Sequence, residues 1–280
     1  MTRVLHLSDL HFGRSRPELE TPLLAQIRSL SPDLVVISGD FTQRARESQF
    51  ARARDFLARI GVPVLSVPGN HDTPLDNLFV RFLAPFRRYR RHVCAETEPF
   101  FTDGAMSVVG VNTVNPFSWQ TGRFRRSARS RVCWLFEQHP APLRLVALHH
   151  PLEHGPDTDK KPMRGARAAL KELADCGAQV VLSGHLHRAA SGPVRAAPGL
   201  LLVEAGTGLS TRQRGEENTF NLLDWEPGGA LRVTTWSAQS RAGRQVFAPS
   251  RTALFRREEG AWLRVGPAPE AQVYQQLRAV

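Results

Sequence analysis

The stretch VVLSGHLH, Val180 to His187, is an apolar, β-branched run that ends on a glycine and two histidines separated by one leucine. Such a run, bounded by a turn signal, reads as a buried strand. A strand that finishes on two imidazoles needs something to hold them. Upstream, RVLHLS (3–8), DLVVIS (33–38), VPVLSV (62–67), MSVVGV (106–111) and LRLVAL (143–148) are runs of the same kind, and segments near 17–30, 44–60, 75–90, 127–138 and 163–176 carry helical spacing. Alternating β and α signals predict an α/β fold. Downstream, GLLLVEAG (199–206), NTFNLLDW (218–225) and ALRVTTW (230–236) follow without intervening helices, which predicts hairpin strands and a second sheet. QSRAGRQVFAPSRTALFRREEGAWLRV carries no clear pattern, and PEAQVYQQLRAV reads as a terminal helix opening at Pro269.

With 280 residues and 41% hydrophobic content, the chain can bury a full core. Its longest apolar runs fall far short of the roughly 18 residues of a membrane helix. The N-terminus enters a strand pattern without a signal-peptide layout, so a soluble cytoplasmic protein is expected. Cys94, Cys133 and Cys176 are odd in number and lack CxxC spacing, which predicts reduced packing thiols. The net charge of +11 is almost wholly arginine, since only Lys160, Lys161 and Lys171 are lysines. That charge suits an anionic substrate, nucleic acid or a lipid head-group surface, or else coats solvated helix faces.

Chemistry gathers at the strand ends. SDLHFG brings Asp9 and His11, SGD brings Asp40, PGNHD brings Asn70, His71 and Asp72, LHHP brings His149 and His150, and SGHLH brings His185 and His187. In a parallel sheet these positions share the crevice at the carboxyl edge. Taken singly, each has a plain structural explanation as an Asx turn, a glycine turn or a solvated histidine. In succession they form a set of oxygen and imidazole donors without thiolates, which suits two divalent ions of the Mn, Fe, Zn or Mg kind.

DxH, GD, GNHD, a histidine pair before proline, and GHxH, in this order, resemble the calcineurin-like metallophosphoesterase superfamily. The resemblance runs from Asp9 to His187. It implies a four-layer α/β/β/α sandwich of two mixed β-sheets flanked by helices, here expected over residues 1–237 with a C-terminal extension at 238–280. By the same resemblance, one metal would be held by Asp9, His11, Asp40 and His187, the other by Asp40, Asn70, His149 and His185, with Asp40 bridging. A hydroxide between the ions would attack phosphorus in line. His71 is the candidate catalytic residue, stabilising transition-state oxygens or protonating the leaving alkoxide. Many relatives carry an acid three residues after the bridging aspartate; this chain has Gln43, whose amide would orient His71 without raising its pKa. Asp72 reads as the N-cap of the helix opening near Pro74.

GNHD with GHLH is most similar to the bacterial class III cyclic-nucleotide phosphodiesterases, so a small phosphodiester is the expected substrate. Alternatives within the superfamily are a phospholipid or nucleotide-sugar lipid pyrophosphate hydrolase and an exonuclease-like enzyme. A non-catalytic phosphate-ligand or nucleic-acid binding module is the alternative of another class. RFLAPFRRYRRH (81–92) sets Arg81, Arg87, Arg88, Arg90 and Arg91 among Phe82, Phe86 and Tyr89, and 118–131 adds Arg123, Arg125, Arg126, Arg129 and Arg131. As amphipathic helix, the first would bury its aromatic face and solvate its arginines. As a functional surface it would contact nucleic acid or anionic lipid. The loop 149–165 is a further candidate wall for the substrate.

Overall fold

The computed structural model describes residues 1–153 and 162–266. The expected terminal helix at 269–280 and the centre of the 149–165 loop lie outside the described residues. The first half alternates as its pattern requires: β1 (Thr2–Leu7), α1 (Glu20–Leu30), β2 (Leu34–Ile37), α2 (Glu47–Leu57) and β3 (Val64–Ser66). The helix expected near 75–90 is two short ones, α3 (Leu78–Leu83) and α4 (Arg87–His92). Pro85 causes the break: its ring drives the preceding residue out of helical geometry, and Ala84 adopts φ −145° and ψ 56°. Next come β4 (Phe100–Thr102), β5 (Met106–Val111), α5 (Arg126–Gln138), β6 (Leu143–Leu148), α6 (Ala166–Asp175) and β7 (Val180–Ser183). The last stretch is all strand: β8 (Ala190–Val194), β9 (Ala197–Glu204), β10 (Thr219–Trp225), β11 (Leu231–Arg241), β12 (Arg244–Glu258) and β13 (Ala261–Gly266).

These strands form two mixed sheets, one ordered β13-β12-β11-β10-β1-β2-β3 and the other β4-β5-β6-β7-β9-β8. β1, β2 and β3 run parallel, as do β5, β6, β7 and β9, so the motif-bearing ends of β1, β2, β3, β6 and β7 emerge on one edge. Successive side chains of a strand face opposite ways, and the apolar residues divide accordingly. Leu34 and Val36 of β2 face the space between the sheets, together with Leu145 and Ala147 of β6. Val35 and Ile37 face α1 and α2 on one outer side, and Val146 and Leu148 face α5 and α6 on the other. Three apolar layers between four structural layers make an α/β/β/α sandwich.

The boundary expected at residue 237 falls inside β11, and residues 238–266 continue the same sheet. The segment without a clear pattern is two hairpins. Their two-residue turns, Ala242-Gly243 at φ 48° and 74° and Glu259-Gly260 at φ 49° and 83°, have the positive angles that suit the strand twist. Buried Trp262 donates its indole N–H to the Gln179 carbonyl at 2.9 Å and so ties the two sheets together. The thiols were expected to be reduced, yet Cys133 on α5 and Cys176 at the end of α6 form a disulfide with Cα atoms 5.3 Å apart. Side-by-side packing of α5 and α6 on one sheet face brings together residues that the sequence separates by 43 positions. Cys94 is free. Among the described residues no helix is long and apolar enough to cross a membrane.

Candidate metal centre

The loops after the parallel strands are stitched to one another through their backbones. Asp9 N–H donates to the Gly39 carbonyl at 3.0 Å, His11 N–H to Asp40 at 2.9 Å, and Gly184 N–H to His149 at 3.1 Å. Asp9, His11, Asp40, His185 and His187 all have positive φ, between 48° and 71°. Left-handed backbone disfavours residues with a Cβ, and its concentration here marks a segment held by its surroundings. β7 ends at Ser183, so His185 and His187 face one site through left-handed turns rather than through extended alternation. Two glycines permit the close approach: a Cβ on Gly69 would run into the carboxylate and amide of Asp40, and one on Gly184 into the Ser8 hydroxyl.

All seven expected donors converge, in two overlapping sets. In the first, His187 Nε2 lies 3.1 Å from Asp9 Oδ1, and His11 Nε2 lies 3.5 Å from Asp9 Oδ1 and 3.4 Å from His187 Nε2. In the second, Asn70 Oδ1 lies 3.0 Å from His149 Nε2 and 3.1 Å from His185 Nδ1. Asp40 Oδ2 belongs to both, at 3.7 Å from His11 Nε2 and 3.4 Å from His149 Nε2.

The chemistry of this donor set fits divalent cations. Asp9 and Asp40 are buried together, and the groups that offset their charge are imidazoles. Burial alone would raise both carboxyls, yet His187 and His11 hold Asp9, and His149 and His71 hold Asp40, well below the usual carboxylate range. Burial would likewise lower His149, but Asp40 and Asp9 push it up to about 9. A field that retains protons this strongly favours cations. The imidazoles are also oriented for ligation. His149 Nδ1 donates to the Ser38 carbonyl at 2.7 Å and His187 Nδ1 to the Arg212 carbonyl at 2.9 Å, which turns each Nε2 lone pair toward the carboxylates.

Several neighbours differ from the sequence reading. Asp72 does not cap the helix that follows: its carboxylate accepts from Gly69 N–H at 2.9 Å, closing the turn Asn70–Asp72, and from Thr42 N–H at 3.0 Å and Phe41 N–H at 3.2 Å, which binds the GNHD loop to the GD loop. Asn77 caps α3 instead. Burial, then the Asp40 charge, push Asp72 up to about 7. Gln43 orients His71 through its backbone carbonyl, 2.8 Å from His71 Nδ1, and not through its amide. His71 Nε2 accepts from Arg212 Nη1 at 3.0 Å. Arg212 was missed because it lies 141 positions from His71, in a loop whose sequence has no metal-donor pattern. His150 stands behind the second set, with Nδ1 2.9 Å from Thr113 Oγ1 and its ring 4.7 Å from that of His185.

A sandwich with clustered carboxylate, amide and imidazole donors at the carboxyl edge of its parallel strands defines a metal-dependent phosphoric ester hydrolase. Residues 2–189 match the calcineurin-like phosphoesterase family, and the chain belongs to it. A probable cyclic nucleotide phosphodiesterase from Synechococcus sp. is 26% identical over 201 residues, 66% of this chain and 73% of its own length. A glycerophosphodiester phosphodiesterase from Enterobacter lignolyticus is 32% identical over 91 residues, 29% of this chain and 32% of its own. The solved structure of PhoD shares the fold, with TM-score 0.68 at 10% identity over 97% of this chain and 72% of that one.

Proposed function

We propose that this chain is a phosphodiesterase of the cyclic-nucleotide type, with one divalent ion held by Asp9, His11, Asp40 and His187 and the other by Asp40, Asn70, His149 and His185. The observation that carries the reading is Asp40, whose single carboxylate oxygen faces His11 on one side and His149 on the other. When bound, the ion pair would withdraw charge from phosphoryl oxygens and acidify a water at neutral pH. Asp40 sets the spacing of the two sites, and His71 N–H helps to hold it by donating to Oδ1 at 2.8 Å. The neutral Asn70 amide limits negative charge beside an anionic substrate. Arg212 carries a permanent positive charge at the mouth of the site, and His71 holds its guanidinium. Preference for diesters of nucleotides is supported by the name of the Synechococcus relative.

A screen of metal-loaded protein against cyclic nucleotides, glycerophosphodiesters, nucleotide pyrophosphates, single-stranded DNA and an aryl diester tests the reading. Turnover of cyclic nucleotides that chelator abolishes and manganese restores is expected. Hydrolysis of another class with cyclic nucleotides untouched would overturn the substrate assignment, and full activity after chelation would overturn the mechanism.

A further inference from the structure

The polarity of α3 is inverted. Leu78, Phe79, Phe82 and Leu83 are 44 to 81% exposed, while Arg81, on the same two turns, is only 4% exposed. An amphipathic helix of a water-soluble surface does the reverse. The inversion continues into the next loop, where Phe117 and Trp119 are 78% and 70% exposed. The pieces are one patch: the rings of Phe82 and Phe117 stack with centroids 5.1 Å apart, and the Arg81 guanidinium lies 5.5 Å from the Trp119 ring. Arg81 ties the patch from beneath, donating to the Pro116 carbonyl at 2.8 Å and the Ser118 carbonyl at 3.1 Å. Single exposed apolar side chains are ordinary, but six large ones on one short helix and the loop stacked against it mark a place where water is displaced.

Positive charge follows both parts of the patch along the chain. Arg87 and Arg90 of α4 follow directly on α3, are exposed, and have no acidic partner among the described residues. Four residues past Trp119, Arg123, Arg125, Arg126, Arg129 and Arg164 line a cavity of about 360 Å³, in which, among the described residues, only Arg129 has an acidic partner, Glu172 at 2.8 Å. Aromatic and leucine side chains that protrude between arginines suit the boundary of an anionic bilayer, where rings enter the acyl edge and guanidiniums meet lipid phosphates.

We propose that α3 and the 115–120 loop form a docking surface for an anionic lipid bilayer, with Phe79, Leu83, Phe117 and Trp119 entering the membrane and Arg87, Arg90, Arg123 and Arg125 meeting phosphate head groups. The surface is linked to the metal centre: Arg81 Nη1 donates to Thr73 Oγ1 at 2.8 Å, and that hydroxyl donates to the Asn70 carbonyl at 2.9 Å. The inference does not depend on which phosphodiester the centre hydrolyses.

Flotation of the full, metal-loaded chain with phosphatidylcholine vesicles, with and without phosphatidylglycerol, tests it. Binding to the anionic vesicles alone is expected, weakening as salt rises. The double variant Phe79→Ser with Leu83→Ser should lose roughly 10–10²-fold in partitioning while keeping its thermal midpoint and its turnover of a soluble aryl diester. Arg87→Glu with Arg90→Glu should lose binding chiefly at low salt. Should the apolar variant fold poorly, the wild-type chain still reports, because its tryptophan emission should shift blue on vesicles and that shift should shrink in Trp119→Phe. The proposal is overturned by no wild-type binding to anionic vesicles, or by equal binding of the apolar variant. It is likewise overturned by a wild-type dimer that the apolar variant splits, which would make the patch an interface between copies. DNA binding that needs Arg87 but not Phe79, without vesicle binding, would overturn it in favour of nucleic acid.

Discussion

His71 and Arg212 are joined by a 3.0 Å hydrogen bond, and a double-mutant cycle measures how far they are coupled in turnover. His71 Nδ1 donates to the Gln43 carbonyl, which leaves Nε2 with a lone pair for the guanidinium. Burial lowers His71 below its ordinary pKa, and Arg212 adds to the lowering although Asp40 opposes it. At pH 7 the imidazole is therefore neutral, and a proton for a leaving group could reach Nε2 only by displacing Arg212. Replacing His71 with Ala removes one hydrogen bond to a charged group, about 1.5–3 kcal/mol. If all of it serves to position Arg212 in the transition state, kcat/KM falls by roughly 10–150-fold. Arg212→Ala should lose at least as much, since the charge itself goes. The double variant should be no worse than Arg212→Ala, because the second change has nothing left to disrupt. Steady-state kinetics on an aryl and an alkyl diester, with metal content measured for each variant, make the assay. The loss in His71→Ala should be equal for both leaving groups, with both metals retained. A larger loss for the alkyl diester would refute the positioning role in favour of general acid catalysis, additive losses would refute the pairing, and a missing metal would refute both.

Asp40→Ala should lower the stoichiometry at both metal sites, whereas Asp9→Ala should weaken mainly the site it shares with His11 and His187; two full sites by metal analysis in the Asp40 variant would refute the bridge. Gly69→Ala tests close approach without backbone strain, since Gly69 has φ −103°. Its methyl would displace the Asp40 carboxylate, so a loss of metal affinity of about 10–100-fold is expected by calorimetric titration. Glu204 predicts a pH dependence of stability. Burial raises its carboxyl to about 7 against the opposing charge of Arg188, so between about pH 4.5 and 7 the folded chain keeps a proton that the unfolded chain has lost. Its contribution is present below pH 4.5 and is lost as pH rises through 7. Glu204→Gln should therefore gain of order 2 kcal/mol over wild type at pH 8 and nothing at pH 4.5, read by urea unfolding; a gain equal at both pH values would contradict it.

The donor residues were legible in the chain because each sits within a few positions of a strand end, and parallel pairing sends all such ends to one edge. Local pattern therefore brought the five clusters to one edge without knowledge of any long-range contact, while the choice of Asp9, His11, Asp40, Asn70, His149, His185 and His187 within them came from the resemblance. The alternation of strand and helix signals made an α/β fold with a second sheet legible, whereas the four-layer order came from the resemblance to the family. What the tertiary structure alone decided rests on pairs far apart in sequence. Arg212 meets His71 only when the loop after β9 folds over the edge, and Cys133 meets Cys176 only when α5 and α6 pack on one sheet. Gln43 acts through a carbonyl that any residue carries, so its side chain misdirects the reading. The inversion of α3 has the same origin. Composition assigns arginine to water and phenylalanine to the core, but the Pro116 and Ser118 carbonyls and the Thr73 hydroxyl gather around Arg81, and satisfying a buried guanidinium left the aromatic rings outside.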